Sequence, residues 1–98
     1  MAFSDVDINN VWAKGTIIPG YDQNQFRQDA CKAWMKRDQY GKRTSPLGWE
    51  IDHIIPGGSD SLSNLRPLQW ENNLSKSDGR LVCAITSSGT QNVAISKR

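Results

Sequence analysis

The chain has one histidine, two cysteines and no long apolar run. Cys31 and Cys83 stand far apart with no CxxC pair, and a single histidine cannot complete a Cys/His zinc cluster with them, so both are expected as free, buried thiols. No stretch approaches the ~20 apolar residues of a membrane span, and the N-terminus lacks a basic-then-apolar signal pattern. The expectation is a cytoplasmic protein with no membrane partner. Neither sign of charge dominates, because 12 Lys+Arg against 10 Asp+Glu leave only +2, too little to imply a nucleic-acid partner. At 98 residues the chain suits one domain, residues 1–98, with a thin core.

The placement of charge says more than its sum. Lys32, Lys36, Arg37, Lys42 and Arg43 fall close together, and Arg66, Lys76 and Arg80 lie downstream, whereas the first 31 residues carry Lys14 and Arg27 against four acids. A basic side of this kind either meets phosphates or is a solvated surface.

The first 25 or so residues mix apolar islands, Val11-Trp12 and Ile17-Ile18, with a Pro19-Gly20 turn signal, which suggests a packed, irregular arm. Phe26, Ala30, Ala33 and Trp34 recur at i, i+4, i+7 and i+8, predicting a helix over Asn24 to Arg37 with Asp22 or Asn24 as its cap. Trp49 to Ile55 reads as a strand from its aromatic and β-branched content, and Pro56 to Ser61 as a loop. Leu65 to Leu68 is a short second strand, at an edge because of Pro67. Trp70 and Leu74, four apart, predict a helix from Gln69 to about Asp78, stopped by Gly79. Leu81 to Ile85 suggests a last strand, and 87–98 a polar, fraying tail. The result is a small α+β domain.

Within this order, Glu50-Ile51-Asp52-His53-Ile54-Ile55-Pro56 puts the one imidazole beside a carboxylate at a strand end. Phosphodiester cleavage needs a nucleophile made from water and a cation to neutralise charge on the phosphoryl oxygens. An imidazole, with a reference pKa of about 6.5, suits proton removal near neutrality, so His53 is the candidate general base. Asp52 supplies a hard anionic oxygen for Mg²⁺ or Mn²⁺. Strand alternation sends the two side chains to opposite faces. Trp49 and Trp70 serve as core or as stacking platforms, and Glu50 as a surface carboxylate or a support to the ligands.

Together with Ser63-Asn64-Leu65 and Asn72-Asn73-Leu74-Ser75-Lys76-Ser77-Asp78, this stretch resembles the HNH (ββα-metal) endonuclease family over Trp49 to Gly79. The resemblance implies a ββα-metal domain with an extra N-terminal helix, acting as a divalent-metal-dependent DNA endonuclease on double-stranded DNA. It implies one Mg²⁺ or Mn²⁺ held by Asp52 and Asn73, with Asn72 as the rival ligand, and His53 as base. Asn64 corresponds to the residue that pins the loop and orients the base, and a carbonyl at or near it is expected to fix the second ring nitrogen. Lys76, Arg66, Arg80, Lys42 and Arg43 are the candidate nucleic-acid contacts. Relatives often carry CxxC pairs for a structural zinc; here Gln69 and Asn72 stand at the second pair's positions, so no such zinc is expected. A monomer would nick, and a double-strand break would need two visits or a dimer. The alternatives are a non-catalytic nucleic-acid-binding module of the same fold, or a structural domain with an accidental motif.

Overall fold

The computed structural model describes residues 3–77 and 79–95. Helix α1, Asp5–Trp12, replaces the irregular arm expected at the N-terminus. Ser4 caps it by accepting the Asp7 amide, and Asp5 and Asp7 place negative charge in the first turn, where the helix dipole favours it. Ile8, Val11 and Trp12, at i, i+3 and i+4, form its buried face.

Strands β1, Thr16–Ile17, β2, Phe26–Gln28, and β3, Trp34–Lys36, form an antiparallel sheet in that order. The helix predicted over Asn24 to Arg37 is therefore a hairpin, although its apolar spacing is helical. Two local structures override the periodicity. Asp22 accepts the Asn24 amide on its side chain and the Gln25 and Phe26 amides on its carbonyl, which makes a turn rather than a helix cap. Asp29 then accepts the Cys31 and Ala33 amides on Oδ1, with Lys32 left-handed at φ 66°, and reverses the chain. Tyr21, Phe26 and Trp34 pack edge to face on one side of the sheet.

β4, Trp49–His53, and β5, Leu65–Gln69, pair antiparallel with Asp52 opposite Arg66 and His53 opposite Leu65. α2, Trp70–Leu74, follows at once. The expected sequence of strand, loop, strand and helix is present, but the helix is shorter than Gln69 to Asp78: Gln69 caps its start and Ser75 its end. Asp78 lies outside the described residues. The last strand runs over Ile85–Ser88 (β6) rather than from Leu81, and pairs with Gln91–Ala94 (β7). A frayed tail from 87 is thus corrected to a hairpin as far as Ala94, anchored where Asn92 accepts the Trp34 amide and donates to the Trp34 carbonyl. No helix of the described residues is long and apolar enough to cross a membrane.

The core is Ile8, Val11, Trp12, Met35, Trp49 and Leu65, with Phe3, Tyr40 and Ile51 against it. Trp49 is fully buried, its indole donating to the Arg37 carbonyl, while the Trp70 indole donates to Ser45. Packing accounts for Trp49, not base stacking. A second centre is polar. Buried Asp29 also accepts the Gln69 amide and the Asn72 side chain on Oδ2. Asn72, 0% exposed, spends its whole amide: Nδ2 donates to Asp29 and the Ile85 carbonyl, and Oδ1 accepts the Ala84 and Ile85 amides. Asn72→Ala strands these partners in a dry site, where each unmet group costs about 1–3 kcal/mol. The expected loss is about 3 kcal/mol or more, read as a lower urea midpoint at unchanged slope. A midpoint like that of wild type would refute this role.

The thiols expected to be free form the disulfide Cys31–Cys83. The Asp29–Ala33 turn carries Cys31 inward, and Asn72 fixes the segment just after Cys83, so folding closes a sequence separation of 52.

Candidate functional site

Alternation along β4 divides the site between two faces. Trp49 and Ile51 face the α1 core, and Glu50 and Asp52 face α2. His53 follows the parity of Ile51 at the strand end, with its ring centroid 6.1 Å from that of Phe3. Asp52 and His53 therefore leave the strand on opposite sides, as alternation predicts.

Asp52 is 5% exposed and bound by two cations. Arg66 Nε donates to Oδ2 at 2.8 Å, and Lys76 Nζ to Oδ1. The same ammonium donates to the His53 carbonyl at 3.0 Å. Arg66 and Lys76 were expected to face nucleic acid, but a buried carboxylate needs paired charge, and it draws both inward. Arg43 stays exposed and is paired with a carboxylate. Its guanidinium makes two bonds to Glu50, 2.7 and 3.0 Å, and Asn73 Nδ2 adds a third at 2.8 Å. The Arg43 bonds hold the Glu50 carboxyl below the usual carboxylate range against the opposing effect of burial, with Asn73 assisting. Lys42 and Arg80 are exposed.

Asn64 is 9% exposed and stitches the loop after β4. Its Oδ1 accepts the Ile55 amide at 2.9 Å, Nδ2 donates to Ser59 O at 2.9 Å, and its carbonyl accepts the Ile54 amide. Gly57 takes φ 71°, and a side chain at Gly58 would put Cβ 2.7 Å from Asn64 Nδ2, so both glycines serve this tight return. Asn64 does not touch the imidazole among the described contacts. The carbonyl expected at or near Asn64 to fix the ring is not its partner among the described residues. His53 Nε2 instead lies 2.6 Å from Asp60 Oδ1, on the loop that Asn64 secures. Asp60 was legible only as a loop residue, because loop curvature decides which way it turns.

Asn73 and Asn72 separate cleanly. Asn72 is consumed by structure, whereas Asn73 Oδ1 has no protein partner among the described residues. Asp52 and Asn73 offer hard oxygens of the type Mg²⁺ or Mn²⁺ takes. Both Asp52 oxygens are taken, by Arg66 and by the Lys76 ammonium that the His53 carbonyl also accepts, so an ion at Oδ1 has to displace that ammonium. Among the described residues no three His, Cys, Asp or Glu side chains cluster as a metal site, so any such ion depends on the amide. In comparisons with known proteins, no family model, curated protein or solved structure matches the chain.

Proposed function

We propose that the protein is a divalent-metal-dependent DNA endonuclease of the ββα-metal type that nicks one strand per domain. The observation carrying this reading is the meeting, at one end of the β4–β5 hairpin, of a one-third-exposed imidazole held by Asp60 with the neighbouring Asp52 carboxylate. His53 takes the proton of the attacking water. Asp52 and Asn73 hold Mg²⁺ or Mn²⁺, which when bound neutralises charge growing on the phosphoryl oxygens. Lys76 and Arg66 hold Asp52 in place, and Asn64 holds the loop beside the imidazole. Exposed Lys42 and Arg80 contribute electrostatic attraction to the duplex. Because disulfides persist in oxidising compartments, Cys31–Cys83 favours an activity outside a reducing cytoplasm over the cytoplasmic expectation.

One observation favours a second reading. Both Asp52 oxygens are engaged by protein cations, as suits a nucleic-acid-binding module of the same fold without catalysis. Supercoiled plasmid with Mg²⁺, Mn²⁺ or EDTA separates the two: nicking that EDTA abolishes supports the nuclease, and binding without nicking supports the module. Asp52→Ala and Asn73→Ala are both expected to raise the Mn²⁺ concentration needed for nicking, the aspartate more, since it supplies the only charge of the pair. Calorimetric titration with Mn²⁺ checks the order. An unchanged Mn²⁺ affinity in Asp52→Ala would remove the ligand assignment.

A further inference from the structure

We propose that Asp60 is a positioning residue that fixes His53 in the tautomer with the proton on Nε2, leaving Nδ1 to accept a proton from water. This rests on the nuclease reading for its consequence, but not for its geometry. Asp60 Oδ1 lies 2.6 Å from Nε2, and an ionised carboxylate only accepts hydrogen bonds, so the ring nitrogen must be the donor. In a neutral imidazole the other nitrogen then carries the lone pair. Nδ1 has no protein partner among the described residues.

The arrangement is more than a chance meeting of surface charges. Asp60 itself is 68% exposed along its side chain, yet the loop bearing it is held from within. Asn64 donates to the carbonyl of the preceding Ser59, and Ser59, Ser61 and Ser63 are linked hydroxyl to hydroxyl. Phe3 lies against the imidazole, limiting where the ring can turn. Asn64 thus acts on the base through Asp60. When Nδ1 takes the water proton, the imidazolium keeps Nε2–H on Asp60, and the carboxylate balances the new charge without itself taking the proton.

The chain's single histidine makes this measurable, because long-range ¹H–¹⁵N correlation of labelled protein reports one imidazole. In alkaline buffer, wild type is expected to show a protonated Nε2 and an unprotonated Nδ1. Asp60→Ala is expected to move both nitrogens toward the averaged values of a mixed tautomer population. On plasmid, Asp60→Ala should lower kcat by about 10–100-fold, the scale of a misplaced catalytic group, with KM little changed. Asp60→Asn, whose amide oxygen still accepts, should recover part of both signals. A purely structural role would change the unfolding midpoint without changing the tautomer. An imidazole spectrum and kcat unchanged in Asp60→Ala would overturn the proposal. If wild type proves unable to nick, the nuclease reading fails, while the spectrum still decides whether Asp60 governs the ring.

Discussion

His53→Ala is expected to leave Mn²⁺ binding nearly intact and to lower the nicking rate by roughly 10²–10⁴, the range for loss of a general base. The separation of effects follows from β4. His53 leaves the strand away from Asp52 and contributes only its backbone carbonyl to the Asp52 side, an atom that alanine retains. The imidazole is one-third exposed and outside the buried core, so the fold should tolerate its removal. Single-turnover nicking at saturating Mn²⁺, beside a calorimetric titration, reads the two quantities independently. Turnover like that of wild type would end the assignment of His53 as base. A large loss of Mn²⁺ affinity would instead make it part of the ion site.

Reduction of Cys31–Cys83, or its replacement by two serines, is expected to cost about 4 kcal/mol, the chain-entropy value for a closed loop of this length. A domain of this size has about 5–15 kcal/mol in all, so most of the stability of a weak folder would go. Urea unfolding with and without reductant checks it. Two reactive thiols in the oxidised native protein, or a midpoint indifferent to reductant, would refute the cross-link. The consequence reaches the site. Cys83 ends the segment that follows Lys76, and Ser75 Oγ bonds the Val82 carbonyl, so releasing the disulfide loosens the support on which Lys76 reaches Asp52.

Much of the site was legible because its elements are local. β-branched residues from Trp49 onward specify a strand, Gly57-Gly58 a return, and the short run after Gln69 a helix, so Asp52 and His53 stand on the strand expected of them, while Asn64 ends a 3₁₀ turn, Leu62–Asn64, that was not expected. Helix α1 was legible too. Ser4 three residues before Asp7, ahead of Ile8, Val11 and Trp12, is a capping pattern, and the arm reading passed over it.

By itself, then, the sequence determined the order of strand, loop, strand and helix and the chemistry-bearing residues along it. Tertiary structure alone decided how those residues are used. The helical spacing from Phe26 to Trp34 lost to a hairpin whose turns at Asp22 and Asp29 are local but which is held in the fold by partners far along the chain, Gln69 and Asn72 for Asp29, 40 and 43 residues away, and Asn92 for Trp34. The disulfide, the inward turn of Lys76 and Arg66 onto Asp52, and the choice of Asn72 as clamp with Asn73 turned to Glu50 are all set across the fold. Local periodicity reports only a residue's own helix or strand, whereas a buried carboxylate or amide must be satisfied by whatever the closed chain brings within reach.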